Sequence, residues 1–245
     1  MDNKIAVVTG ASKGIGKAIS RRLISEGYFT ILVDIDKENG LNLESENFDK
    51  SKYYNCDISN ENSVSDFFEF IKSNYGTLDV LVNNAGIIKD NMIWNMPTED
   101  FDKVVEINLK GCWLMSKQAG IIMKEQNSGR IVNITSRAWL GNRGQSNYAA
   151  SKAGVVSLTR VLALELGKYN VLVNAIAPGL IDTPLTQKLP EHVIENLINL
   201  QPTKTMGSPE NIAQTVSFLS NPQTEFITGQ VIYVDGGKNV GSNMV

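Results

Sequence analysis

Short apolar runs alternate with longer stretches in which apolar residues recur every three or four positions, from one end of the chain to the other. The short runs fall at 5–9, 30–33, 52–56, 80–82, 130–134, 171–176 and 230–234. Several are apolar at successive positions, as expected of strands covered by helices on both faces. Strands and helices alternating in this way predict an α/β protein with a doubly wound parallel sheet. No repeat, low-complexity stretch or Pro/Ser-rich linker interrupts the pattern. Residues 1–245 are therefore expected to form a single domain, long enough to bury a substantial core.

Local signals sharpen the picture. Ile15, Ala18, Ile19, Leu23 and Ile24 recur at helical spacing, Lys17, Arg21, Arg22 and Glu26 face outward, and Gly27 stands where a left-handed cap ends a helix. Ser208-Pro209-Glu210 combines a capping oxygen, a first-turn proline and an acid against the helix dipole, which predicts a helix start. Two helical patterns, 101–123 and 153–166, are apolar around much of their circumference and need cover on two sides. The sheet supplies one cover, and a second subunit is expected to supply the other. Residues 183–206 differ: Pro184, Pro190, Pro202 and the lone His192 surround one short helical stretch. An insertion acting as a substrate lid is the expectation, with His192 on its surface.

Composition adds exclusions. Twenty-three basic and 26 acidic residues leave a net charge of −3, with no basic field for nucleic acid or acidic lipid. Cys56 and Cys112 have neither metal-like nor disulfide-like spacing and are expected to be buried thiols; no metal is expected. The opening MDNKIAVVTG turns polar too soon for a secretory signal, and no run approaches the ~20 apolar residues of a membrane span. A cytoplasmic protein is the expectation.

Candidate chemistry begins at Thr9-Gly10-Ala11-Ser12-Lys13-Gly14-Ile15-Gly16, between the first strand and the first helix. Glycines there allow a tight turn and close approach of a pyrophosphate, whose charge a helix N-terminus stabilises. Asp34 ends the second strand, placed to accept hydrogen bonds from adenosine ribose hydroxyls and so to select NAD. The alternative for Asp34 is a turn-forming role before Ile35-Asp36. Lys13 pulls toward NADP, as a cation able to meet a 2′-phosphate. A phosphate about 4 Å from Asp34 would be repelled by roughly 4 kcal/mol at an effective dielectric near 20. An exposed lysine pair returns about 1 kcal/mol or less. NAD is the expected cofactor, with NADP the alternative.

Tyr148 and Lys152 lie four apart, on one face of a helix. Oxidising an alcohol needs a base and reducing a ketone needs an acid. A phenol serves both if its pKa falls from about 10 toward neutrality. Lys152 in a partly desolvated site, beside an oxidised nicotinamide, is the expected cause of that fall, and it can also bond the nicotinamide ribose. Ser136 follows the apolar run 130–134 and can hold the substrate oxygen against Tyr148. Asn108 sits mid-helix among apolar neighbours, where asparagine is a poor helix former. Two roles fit it: a satisfied buried amide, or a group holding water near the lysine.

TGASKGIG, NNAG, the mid-helix Asn108, Ser136, YAASK and Pro178-Gly179 together resemble the short-chain dehydrogenase/reductase family, in order and over nearly the whole chain. The resemblance implies a Rossmann fold, and Asn108, Ser136, Tyr148 and Lys152 as a catalytic tetrad in which Asn108 holds a proton-relay water. It implies that Asp57 and Ile58 flank the adenine and that Asn83, Ala85 and Gly86 line the ribose–phosphate wall. By the same likeness Ile181 and Thr183, after Pro178-Gly179, touch the nicotinamide carboxamide, and ITGQVIYVDGG serves assembly of a homotetramer. Within the family the chain looks most like 3-oxoacyl-[acyl-carrier-protein] reductases, which implies a 3-oxoacyl or 3-hydroxyacyl thioester substrate. Two features depart from that pattern. Asp34 points to NAD where those reductases use NADPH, and Asn127 and Tyr169 stand where they dock the carrier protein with arginines, with Lys124 and Lys168 nearby. A CoA thioester, or a small or cyclic alcohol or ketone, is the alternative substrate. Trp94, Trp139, Leu140 and the 184–202 segment are candidates for an apolar pocket. A non-catalytic dinucleotide-binding protein is the remaining reading, against which the intact Ser136, Tyr148 and Lys152 set argues.

Overall fold

The computed structural model describes residues 4–240. Seven strands, β1 (Ile5–Thr9), β2 (Phe29–Asp34), β3 (Ser51–Asn55), β4 (Val80–Asn83), β5 (Gly129–Ile134), β6 (Val171–Pro178) and β7 (Val231–Val234), form one sheet. Its order is β3-β2-β1-β4-β5-β6-β7, and all six pairings are parallel. The chain leaves β1 toward one edge and returns at β4 to build the other. The carboxyl ends of β1 and β4 thus flank the crevice where open α/β sheets bind ligands.

Helices cover both faces because the strands are apolar on both. Ile5 and Val7 point to one side, where α3 (Glu61–Asn74), α5 (Cys112–Gln126) and α6 (Ser146–Leu166) bury Phe67, Ile71, Met115, Met123 and Leu162. Ala6 and Val8 point to the other, against Ile19 and Leu23 of α1 (Gly14–Ser25), Leu43 of α2 (Lys37–Glu46) and Val216 of α8 (Pro209–Ser220). Gly27 has φ +88°, so the first helix ends at the expected left-handed residue. Ser208 caps α8 reciprocally with Asn211. Both cysteines are buried thiols, and burial pushes Cys112 up to about 12.

Strand ends differ from the sequence reading by a residue or two, and two differences are informative. The last strand begins at Val231 because the Gln230 N–H turns to the side-chain oxygen of Asn174. The apolar stretch 101–123 is not one α-helix. It comprises α4 (Thr98–Val105), a π-helical turn (Glu106–Gly111) and α5. Periodicity does not reveal the extra residue of a π turn, which sits here at a polar position, Asn108. Between β6 and α8, the 183–206 segment holds a short 3-10 turn (Thr186–Lys188) and α7 (Glu191–Asn199) with His192 exposed.

Candidate active site

The loop from β1 to α1 is built for an anion. Gly10 (φ +62°) passes so close to the next loop that an added Cβ would stand 2.9 Å from Ala85 Cα. A Cβ on Gly16 would collide with the carbonyl oxygen of Gly10. Helix α1 starts without a side-chain cap and with no acid in its first turn, so its leading N–H groups face the crevice unopposed. Ser12 carries a buried hydroxyl that has no partner among the described residues. These features fit a dinucleotide pyrophosphate on this chain's own backbone.

Asp34 stands at the end of β2 beside that loop. Its Oδ2 accepts from the Ser12 N–H at 2.9 Å and its Oδ1 from the Asp36 N–H at 3.0 Å. The turn-forming role is therefore visible in this carboxylate, which is also tied to the phosphate loop. Lys13 is taken by Asp36 in an ion pair at 2.6 Å. That contact, with bonds from Asn39, holds the Asp36 carboxyl near 2.

The wall of the crevice is made differently from the expectation at Asn83. Its amide nitrogen donates to Ser116 at 2.9 Å and to Asn133 at 2.8 Å, so the side chain points to the interior, where its Oδ1 is buried with no partner among the described residues. The neighbour Asn84 does the visible work, donating to the carbonyls of Thr9 and Gly10 at 3.0 and 3.1 Å and so bracing the glycine turn. Ile58 likewise turns inward against Gly111, while exposed Asp57 accepts from Ser59 and is held below the usual carboxylate range by that bond. After β6, Gly179 donates to Val234 O, and Ile181 is buried. Thr183 and Pro184 cross over the phosphate loop, about as close to Gly14 as van der Waals contact allows: a Cβ there would lie 3.8 Å from each.

The four polar candidates converge. Lys152 is 4% exposed, and its Nζ donates to Ile134 O at 2.9 Å and lies 5.7 Å from the ring centroid of Tyr148. Asn108, in the π turn, is 1% exposed. Its Oδ1 accepts from the Ile87 N–H (2.8 Å), and its Nδ2 donates to Ile87 O (3.0 Å) and Ser151 Oγ (3.2 Å). The satisfied-amide reading therefore describes this side chain, with one lone pair of Oδ1 left over. Gly86 lies between these groups, since a Cβ there would be 3.1 Å from Asn108 Oδ1 and 3.5 Å from Lys152 Nζ. Ser136, just beyond β5, stands beside the Tyr148 phenol, whose pKa its hydroxyl lowers, and accepts from the Ala138 N–H.

The electrostatics depart from the expectation at the phenol. Burial raises Tyr148 above its ordinary 10.0, the Ser136 bond works against that, and Asp90 adds to it. Lys152 is perturbed in the other direction: burial pushes its ammonium down to about 8. The protein alone thus brings the lysine, not the tyrosine, toward neutrality.

Several contributors were passed over in the sequence. Thr135 holds the Lys152 carbonyl at 2.9 Å, and buried Asn147 accepts from the Tyr148 N–H at 2.7 Å. Asn147 adjoins the tyrosine, and its position inside an otherwise small-residue turn was the available signal. A cavity of about 380 Å³ lies near Ile181, Gln201, Met206, Asn211 and Asp235. It contains none of Asn108, Ser136, Tyr148 and Lys152, and the convergent polar groups, not this volume, define the candidate site. Among the described residues no cluster of three or more metal-type ligands occurs.

Comparison with known proteins agrees with this geometry. A family model described as enoyl-(acyl carrier protein) reductase matches residues 10–239. The 3-oxoacyl-[acyl-carrier-protein] reductase of Thermotoga maritima is 42% identical over 241 residues, 97% of this chain and 98% of that protein. The (2S)-[(R)-hydroxy(phenyl)methyl]succinyl-CoA dehydrogenase subunit BbsD of Thauera aromatica is 38% identical over 244 residues, 98% of each. The crystal structure of levodione reductase matches with a TM-score of 0.93 at 35% identity, covering 98% of both chains. With its parallel sheet, glycine turn and converging Tyr148 and Lys152, the chain belongs to the short-chain dehydrogenase/reductase family of oxidoreductases.

Proposed function

We propose that this protein is an NAD-dependent reductase and dehydrogenase of a 3-oxoacyl/3-hydroxyacyl thioester. The observation that carries the reading is the convergence of Ser136, Tyr148 and Lys152 beside the anion-binding turn. The nicotinamide, when bound, supplies or takes the hydride. Ser136 holds the substrate oxygen, and Tyr148 gives that oxygen a proton in reduction and takes it back in oxidation. A phenol raised by burial is fully protonated at neutral pH, the state ketone reduction needs. Lys152, near 8, is still largely an ammonium there and stabilises the phenolate as it forms. The spare lone pair of Asn108 Oδ1 and the Lys152 ammonium flank Gly86 closely enough for one water to link them, which is the relay proposed for Asn108.

Asp34 supports NAD, because its carboxylate faces the end of the phosphate loop and Lys13 is already paired with Asp36. We assign Gly10 to Gly16 to the pyrophosphate, Asp57 and Ile58 to the adenine, Ala85 and Gly86 to the ribose–phosphate wall, and Ile181 and Thr183 to the carboxamide. Residues 183–206 form the lid, carrying Leu185, Leu189 and Leu200 outward for an acyl chain. Trp94 is 71% exposed, and Trp139 holds a buried indole N–H with no partner among the described residues.

For the thioester carrier, one observation favours CoA as a second reading. Asn127 is a left-handed cap on α5, and Lys124 and Lys168 point their ammonium groups at the Tyr169 ring, 5.1 and 5.0 Å from its centroid. The lysines supply cations without the bidentate fork of arginine. Rates with 3-oxoacyl-CoA, 3-oxoacyl-carrier protein and a cyclic diketone, each with NADH and NADPH, test the proposal at the nicotinamide absorbance. Turnover of the cyclic ketone alone would overturn the thioester assignment.

A further inference from the structure

Helix α6, which carries Tyr148 and Lys152, starts without a side-chain cap, with Gln145 in the cap position. What fixes its first turn is the loop after β4. Gln145 is 9% exposed, and its Nε2 donates to both carboxylate oxygens of Asp90 at 3.0 Å each, while its Oε1 accepts from Asn142 at 2.9 Å. The Asn91 N–H donates to Gly144 O at 2.8 Å, and Asn147 Nδ2 donates to Lys89 O at 2.8 Å. The same loop is gripped at its other end by Asn108, through both backbone groups of Ile87. Residues 87–91 therefore run as a strap from the π turn to the first turn of α6.

We propose that Asp90 and Gln145 are positioning residues for the reaction: their bond holds the first turn of α6 so that the Tyr148 phenol meets Ser136. The inference rests on Tyr148 being the acid/base. Asp90 suits the task because it has no cation of its own among the described residues, the adjacent Lys89 being paired with Asp100 at 2.5 Å. A bond to a carboxylate is also stronger than one between neutral groups. The charged groups bearing on the phenol are Lys152 from its own helix and Asp90 from the strap, with the neutral Ser136 hydroxyl from the turn after β5. Of these, Asp90 raises the phenol, so removing its charge must favour the phenolate.

Five variants separate the roles: Asp90→Ala, Asp90→Asn, Gln145→Met, the double variant Asp90→Ala/Gln145→Met and the reference Tyr148→Phe. Each is assayed for kcat across pH in the oxidative direction, for cofactor affinity by fluorescence titration and for its melting temperature. A small displacement of a reacting group costs on the order of ten- to a hundred-fold in rate. Asp90→Ala and Gln145→Met are expected to lose kcat by that order while keeping cofactor affinity and folding, and the double variant is expected to be no worse than either. Asp90→Asn, which keeps an acceptor oxygen, is expected to recover most of kcat and to move the pH midpoint of oxidation downward. Unchanged kcat in Asp90→Ala and Gln145→Met, or an unmoved or raised midpoint in Asp90→Asn, overturns the proposal. So does a loss of cofactor affinity as large as the loss of kcat. Full activity of Tyr148→Phe would instead refute the acid/base reading itself.

Discussion

At the scale of single residues, Asp34 and Lys152 carry the most exposed claims. Replacing Asp34 with serine removes repulsion of a 2′-phosphate and also charge-assisted ribose bonds worth roughly 1.5–3 kcal/mol. NAD efficiency should fall about one to two orders of magnitude while NADP efficiency rises, and a steady-state comparison of the two cofactors checks the opposite signs. Because Lys13 is held by Asp36, the gain for NADP should grow further in Asp34→Ser/Asp36→Asn. Lys152 makes a prediction about stability. A buried amine near 8, against its ordinary 10.5, binds fewer protons folded than unfolded between those values. Stability therefore rises as pH climbs from 8 to 10.5, and the cost of burying the charge is fully present below 8. Relative to Lys152→Met, the wild type should gain on the order of 3 kcal/mol across that window by urea denaturation. A constant difference would show that the ammonium is not desolvated. The sequence made both residues visible, because each stands at a fixed interval from a recognisable partner. It hid the direction of the shifts at Tyr148 and Lys152, since desolvation depends on burial by residues distant in the chain.

At the scale of elements, most strands were legible because they are apolar on both faces and flanked by turn residues, and the end of α1 and the start of α8 because Gly27 and the Ser208 cap are local signals. The π turn was not, because it depends on a partner elsewhere. Asn108 pays for its place in an apolar helix through Ile87 and Ser151, 21 and 43 residues away in the chain. The same limit concealed Asn83, whose neighbours in space are Ser116 and Asn133. Asn108→Leu should leave the two backbone groups of Ile87 bare, at about 1–3 kcal/mol for each group. Urea denaturation should register that loss together with a fall in turnover, since the strap carrying Gly86 and Asp90 would lose one anchor. A variant as stable as the wild type would mean that the π turn is held by packing alone.

At the scale of the whole molecule, one sheet brings the anion-binding turn, the strap and the tyrosine helix to the same edge, and apolar surface remains on the outside. Trp113 and Ile121 on α5, Leu164 on α6 (84% exposed) and Phe218 on α8 are uncovered, and β7 leaves a free sheet edge. We expect these faces to pair in a homotetramer with dihedral symmetry, which light scattering at micromolar concentration would register as about four times the chain mass. A monomer would leave the apolar helices unexplained. The central claim is that this protein moves hydride with Tyr148 as proton donor. It is tested most directly by following NADH consumption with a 3-oxoacyl thioester in the wild type and in Tyr148→Phe. The account predicts steady turnover in the first and a loss of about a hundred-fold or more in the second, with NADH affinity nearly unchanged. Equal rates in the two proteins would contradict it.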